Sequence, residues 1–187
     1  MTLSDTQAHA DDHPLLAALA VAMVQRPRAP LQDLAKAAGV SKATLYRFCR
    51  TREQLVDRLL VHSSAMIDEA IRDAELDTAP PLEALRRLSA NHLELRELMA
   101  FLVYYWRDDA VDPDTEAGWT AQMDGFFLRG QQAGVFRIDI AAPALTEIWV
   151  STLLGLVDAE RRGRIARAGM AALLERAFLH GAAAAPA

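Results

Sequence analysis

One cysteine, Cys49, is all that the 187 residues contain, so no intrachain disulfide can form and a reducing compartment suits the chain. Glycine and proline are sparse and β-branched runs are short, which favours an all-α protein. Long apolar runs are missing too. Leu15–Val24 is ten residues and Leu98–Trp106 nine, short of the ~18 a membrane helix needs, so no membrane partner is expected. The opening MTLSDTQAHADDHP carries acids where a secretory signal has a basic start and an apolar core, and a cytoplasmic protein is expected. No Gly-rich phosphate loop, nucleophile elbow or Cys/His ligand cluster occurs. Neither catalysis nor a cofactor is therefore expected. The acids Asp108, Asp109, Asp112, Asp114 and Glu116 lack the spacing and turn glycine of a cation loop, and caps plus solvent account for them without a metal.

What the chain does have is apolar content, 52%, enough for a sizeable core. Its net charge of −5 taken alone argues against nucleic acid, but the charge is unevenly placed. From Arg26 to Arg52 there are seven bases (Arg26, Arg28, Lys36, Lys42, Arg47, Arg50, Arg52) against Asp33, which leaves −11 for everything else. A compact basic face on an acidic body gathers phosphate contacts in one place.

That basic stretch, LQDLAKAAGVSKATLYRFCRTR over 31–52, reads as two short helices joined by a tight turn. Leu31, Leu34 and Ala35 share a face of the first helix. Gly39 supplies the positive φ of a sharp turn. Val40 and Leu45 lock the second helix across the first, and Ser41 can cap it through the N–H of Ala43 or Thr44. At ~1.5 Å per residue the second helix is on the order of 13 Å long, a size the major groove admits. Helix geometry turns Leu45 and Cys49 inward and sets Ala43 and Arg47 outward, flanked by Thr44 and Tyr46.

At these residues, Leu34-Ala35 and then AGVSKATLYRFCRTREQLV over 38–56, the sequence resembles the tetracycline-repressor (TetR) family of bacterial transcription regulators. The resemblance implies a helical, two-domain, homodimeric DNA binder, usually a repressor released by a small molecule. It also implies that Lys42, Thr44, Tyr46 and Arg47 touch DNA and that Arg52 matches a basic residue opening the fourth helix. Arg47 could bond guanine O6/N7, and Thr44 a thymine methyl or a phosphate. Lys42, Tyr46 and Arg52 suit phosphates. Arg26-Pro-Arg-Ala-Pro30 departs from the family, which places a glycine, an aromatic and a hydroxyl cap there; Arg26 or Arg28 is the expected substitute for the missing phosphate contact. Cys49 stands where a phenylalanine is usual and is expected to be a small core residue, while Phe48 is either core or a sugar contact.

The predicted organisation is a disordered tail over 1–12, a three-helix DNA-binding domain over 13–50, a connecting helix over 51–77, a ligand-binding and dimerisation domain over 78–180, and a tail over 181–187. That makes about nine helices. Pro14 is expected to start the first. Thr51 and Gln54 form a capping box at the start of the long fourth helix. A break is expected near Glu94–Glu97, and the little-polar Leu98–Trp106 is expected to be a buried central helix. Asp112-Pro113 caps a helix ending at Ala133-Gly134, and LRGQQAGVFRIDI over 128–140 resembles the family's link to the next helix. The last two helices are expected over 143–158 and 163–180.

Aromatic and sulfur-bearing side chains concentrate in the second half. An apolar pocket is expected from Met66, His92, Met99, Tyr104, Tyr105, Trp106, Trp119, Met123, Phe126 and Phe127, with Tyr104 or His92 as the polar handle. Apolar stripes through Trp149, Leu153 and Leu156 and through Leu173, Leu174 and Phe178 are expected to form a four-helix dimer interface. The function expected is a DNA-binding transcriptional repressor on a palindromic double-stranded operator, with Lys42, Ala43, Thr44, Tyr46, Arg47, Arg52 and Arg28 on the DNA, released by an unidentified apolar effector. The alternative is a helix-turn-helix regulator answering to a protein partner or to no ligand.

Overall fold

A computed structural model describes residues 3–106 and 111–182. Among them nine helices form and no β-strand does: α1 (Leu3–Gln25), α2 (Leu31–Ala37), α3 (Lys42–Phe48), α4 (Arg52–Asp73), α5 (Pro81–Glu94), α6 (Arg96–Tyr105), α7 (Pro113–Gln132), α8 (Ala142–Arg161) and α9 (Met170–Ala182). The chain divides into two compact units, the described residues of Met1–Ala65 with Glu97–Val111, and of Met66–Arg96 with Asp112–Ala187. Helix α4 contributes to both. By this division α6 falls with the DNA-binding helices, not with the C-terminal domain expected over 78–180.

In the first unit α1 presents Leu16, Leu19, Ala20 and Met23 to a core that also holds Leu34, Ala35, Leu45, Leu55 and Leu59. Helix α1 starts at Leu3, so Pro14 lies inside it, and from Leu3 on a helix replaces the disordered tail expected over 1–12. The alanine and glutamine of that polar stretch are good helix formers. Asp108 and Asp109 of the acidic group, and most of the tail expected over 181–187, lie outside the described residues.

The second unit closes around an aromatic cluster. Phe126 and Phe127 of α7 lie 5.7 and 5.3 Å from Phe136, and Phe127 lies 5.5 Å from Phe178 of α9. The link after α7 makes this possible. Gly134 takes φ +70°, and the N–H groups of Val135 and Phe136 both donate to the Gly130 carbonyl. Phe136 then lies directly over Gly130, where a Cβ would come within 2.2 Å of its ring. Arg129 donates from Nε to the Leu76 carbonyl at 3.0 Å and from its terminal nitrogen to that of Ala79 at 2.8 Å, which pins the end of α7 to the segment before α5. Asp112 caps α7 through the Thr115 N–H at 3.0 Å, as its Asp-Pro start implies. Gly163 and Gly169, both with positive φ, delay α9 to Met170, later than the sequence suggested.

Trp149, Leu153, Leu174 and Phe178 are buried within this unit. They are core, not a surface left for a partner, which corrects their expected place in a dimer interface. Leu156 and Leu173 are half-buried. A stripe of large side chains marks the face packed against the rest of the same chain.

Candidate nucleic-acid interface

Helices α2 and α3 pack across a turn that the sequence dictates residue by residue. The Ala38 N–H donates to Leu34 and the Val40 N–H to Ala35, both at 2.9 Å, while Gly39 between them takes φ +72°. Ser41 is the N-cap of α3: its hydroxyl accepts the Thr44 N–H at 3.0 Å and lies 2.8 Å from the Thr44 hydroxyl. Such a cap contributes about 1 kcal/mol and fixes where the helix begins. Leu45 and Cys49 turn inward and are buried. Burial pushes the Cys49 thiol up, against the opposing field of Arg58, so it stays protonated and unreactive.

The outward face of α3 carries Lys42, Ala43, Tyr46 and Arg47, all exposed. The Lys42 ammonium lies 5.4 Å from the centre of the Tyr46 ring, so a charge and a hydroxyl-bearing ring stand side by side. Thr44 is half-buried with its hydroxyl against Ser41. Phe48, also half-buried, lies under the Arg58 guanidinium at 4.5 Å, which makes it a packing residue at the edge of the head. Arg28 is exposed in the loop before α2. Helix α2 opens after Pro30 without a side-chain cap.

Arg52 is placed differently from what its charge suggests. Its guanidinium donates to the carbonyls of Pro27 at 2.7 Å and Ala29 at 3.1 Å, and to the Tyr105 hydroxyl at 2.8 Å. The Tyr105 hydroxyl in turn donates to the Met23 carbonyl at 3.3 Å, and its ring stacks on Phe101 at 4.7 Å. Arg52 thus holds the proline-containing loop in front of α2, the task expected of a cap that this sequence lacks. The sequence carried a hint in that missing cap, but nothing in it pointed to Tyr105 as the partner. The capping box of α4 is half as expected: the Gln54 N–H reaches the Thr51 hydroxyl at 3.2 Å, whereas Gln54 Oε1 accepts from Arg50, not Thr51.

The expected ligand pocket does not assemble from its expected residues. Phe126 and Phe127 belong to the aromatic cluster, and Met99 and Met123 are buried. His92 is buried as well. Its Nδ1 lies 2.9 Å from the Leu88 carbonyl and its ring meets Trp149 edge-on at 5.2 Å. Burial lowers its pKa to about 4, with the Leu88 carbonyl opposing, so it is a neutral core side chain and not a polar handle. Met66 and Trp119 are half-buried. Tyr104, Tyr105 and Trp106 do line a cavity, of about 330 Å³, but with Arg52, Glu53 and Val56 of α4. Helix α6 is not buried throughout: Leu98, Met99, Phe101 and Leu102 are, while Val103 and Tyr104, and Trp106 just beyond the helix, are exposed. Among the described residues no group of His, Cys, Asp or Glu could hold a metal ion, and no helix is long and apolar enough to cross a membrane.

A capped recognition helix with a basic, exposed outer face, set on two supporting helices, defines a helix-turn-helix DNA-binding protein. Comparison with known proteins narrows this. The model of the bacterial regulatory proteins of the tetR family matches residues 17–59. Over 175 residues the chain is 54% identical to the HTH-type transcriptional regulator NfxB of Pseudomonas aeruginosa, spanning 91% of this chain and 94% of that one. It is 33% identical over 103 residues to the HTH-type transcriptional repressor LfrR of Mycolicibacterium smegmatis, 55% of this chain and 54% of the relative. In fold it is similar to the ketosteroid transcriptional regulator KstR2 of Mycobacterium tuberculosis, with a TM-score of 0.73 at 21% identity over 91% and 94% of the two chains. A structure of LfrR from Mycobacterium smegmatis in complex with proflavine gives 0.65 at 20% identity over 94% and 97%. The chain belongs to the TetR family and is a DNA-binding transcriptional regulator, not an enzyme. Regulators of this family bind DNA operators and act as dimers.

Proposed function

We propose that this chain is a homodimeric repressor that acts in the cytoplasm on a palindromic operator and leaves it when a small, largely apolar ligand binds. The observation that carries the reading is the outer face of α3, where Lys42, Ala43, Tyr46 and Arg47 stand exposed on a helix whose start Ser41 fixes. Arg47 reads a base edge, Ala43 meets a thymine methyl, and Lys42, Tyr46, Thr44 and Arg28 fix position on sugar and phosphate. Arg52 acts from behind by holding the loop that sets α2.

A dimer places two reading heads about 34–36 Å apart, on successive major grooves. The surface for it is the outward side of α8, where Ala144, Ile148, Ser151 and Gly155 are exposed at helical spacing, with Leu156 and, from α9, Leu173 beside it. A ligand acts by favouring a dimer whose heads no longer match that spacing. That a small molecule binds is supported by LfrR, a relative solved in complex with proflavine.

The test is selection of bound duplexes from a randomised pool, followed by titration at several salt concentrations. Recovered sites should be two-fold symmetric with half-sites one helical turn apart. Arg47→Ala should relax one base preference at a cost of ~1–3 kcal/mol, and Lys42→Ala should weaken all duplexes alike. Recovery of no common sequence, or unchanged binding by both variants, would remove α3 from the interface.

A further inference from the structure

The link between α1 and α2 carries one basic side chain at its tip. The Ala29 N–H donates to the Arg26 carbonyl at 3.0 Å, which closes a four-residue turn with Pro27 and Arg28 as its central pair. Proline suits the first of those places because its ring presets φ there. Arg28 takes the second and is exposed.

Arg52 grips this turn on both sides of the tip. One terminal nitrogen donates to the Pro27 carbonyl, just before Arg28, at 2.7 Å, and the other to the Ala29 carbonyl, just after it, at 3.1 Å. One planar fork thus spans the backbone of Arg28. The nitrogen that reaches Pro27 also donates to the Tyr105 hydroxyl at 2.8 Å, and that hydroxyl donates to the Met23 carbonyl of α1 at 3.3 Å. The Tyr105 ring is held in turn by stacking on Phe101, with 14° between their planes. The hydroxyl therefore stands at a place set by α6 and α1, and it fixes which way the guanidinium faces. All of these residues belong to the first compact unit. Neutral acceptors leave the Arg52 charge in place, where it adds to the positive potential of the turn.

We propose that Tyr105 is a positioning residue for operator binding, which through Arg52 holds the turn in the conformation that brings Arg28 to a phosphate. A turn fixed beforehand is spared the entropy that a loose one loses on the DNA. The proposal rests on the reading above in which Arg28 touches phosphate. Without the hydroxyl the Arg28 charge is unchanged but unprepared. Affinity then falls at every salt concentration, and the slope of log affinity against log salt stays as it was.

The experiment titrates the selected duplex with full-length wild type, Tyr105→Phe, Arg28→Ala and the double variant at several salt concentrations. Phenylalanine retains the ring that stacks on Phe101. Arg28→Ala should lower the slope by about one for each reading head. Tyr105→Phe should weaken binding roughly tenfold at an unchanged slope, and in the Arg28→Ala background it should cost nothing further. A tyrosine that only stabilised the fold would cost the same in both backgrounds. Amide exchange of the DNA-free proteins reads the turn directly, even in a variant that binds no DNA. The Ala29 N–H should exchange faster in Tyr105→Phe, while the Val40 N–H between α2 and α3 keeps its protection. Equal losses in both backgrounds, no loss in either, or unchanged exchange at Ala29 would overturn the proposal while Arg28 keeps its phosphate. An Arg28→Ala protein with unaltered affinity and slope would instead remove the phosphate contact itself, and the proposal with it.

Discussion

Arg52 separates a charge that touches DNA from one that shapes the surface doing so. A lysine in its place keeps the charge but cannot reach two carbonyls and a hydroxyl from one planar group. Arg52→Lys should therefore weaken operator binding while leaving the slope of log affinity against log salt unchanged, whereas loss of a phosphate contact lowers that slope by about one. Titrating both proteins at four or five salt concentrations decides between the two roles; a shallower slope would return Arg52 to the phosphates. His92 makes a different kind of statement, about stability. Its pKa is lowered to about 4 in the fold from an ordinary 6.5. Between those values the unfolded chain binds the proton and the folded one does not, so stability falls as pH drops through that window. The expected loss from pH 7.5 to pH 5 is about 2 kcal/mol from this one residue. Denaturant melts of wild type and His92→Phe across that range should show the slope flattened in the variant.

At the scale of elements, the head was legible because each part of it is local. Gly39, Ser41 and the Leu34/Ala35/Leu45 spacing act over a few residues, and the turn, the cap and the buried face appear where those residues require. Helix α6 was legible as a helix but not as a member of the first unit. Membership depends on what Tyr105 touches far along the chain, the Met23 carbonyl and Arg52. Periodicity carries no such information. The pocket residues failed for a related reason, since Phe126 and Phe127 look the same in sequence whether they wall a cavity or pack on Phe136 and Phe178. Gly130, which the sequence did not single out, proves to be a contact point: a Cβ there would meet the Phe136 ring at 2.2 Å. Gly130→Ala should force that ring out of place and cost ~1–3 kcal/mol, as overpacked cores do. Chemical denaturation measures it, and a neutral result would mean that the 135–136 link yields without cost.

For the whole molecule, a buried Trp149 and Leu153 turn the proposed dimer contact to the other side of α8. Helix geometry gives α8 two long faces. One carries Leu145, Trp149, Leu153 and Val157, all buried within the protomer. The other presents Ala144, Ile148, Ser151 and Gly155, whose four-three-four spacing keeps them in line. Ile148 is 44% exposed, and its neighbours on that line are small enough for another helix to approach closely. The two faces predict opposite outcomes for the same chemical change. Ile148→Glu should give a folded monomer, with melting lowered only by loss of the partner, because its charge remains in water when the copies part. Leu153→Glu should instead unfold the protomer, because a lone carboxylate in a packed core costs several kcal/mol. Sedimentation together with circular dichroism distinguishes the two, and operator titration of the Ile148 variant adds a functional reading. A single head retains the local contacts of α3 but loses the second half-site, so its binding should become weak and indifferent to half-site spacing. An Ile148→Glu protein that remains dimeric and binds the symmetric operator normally would place the interface on another surface.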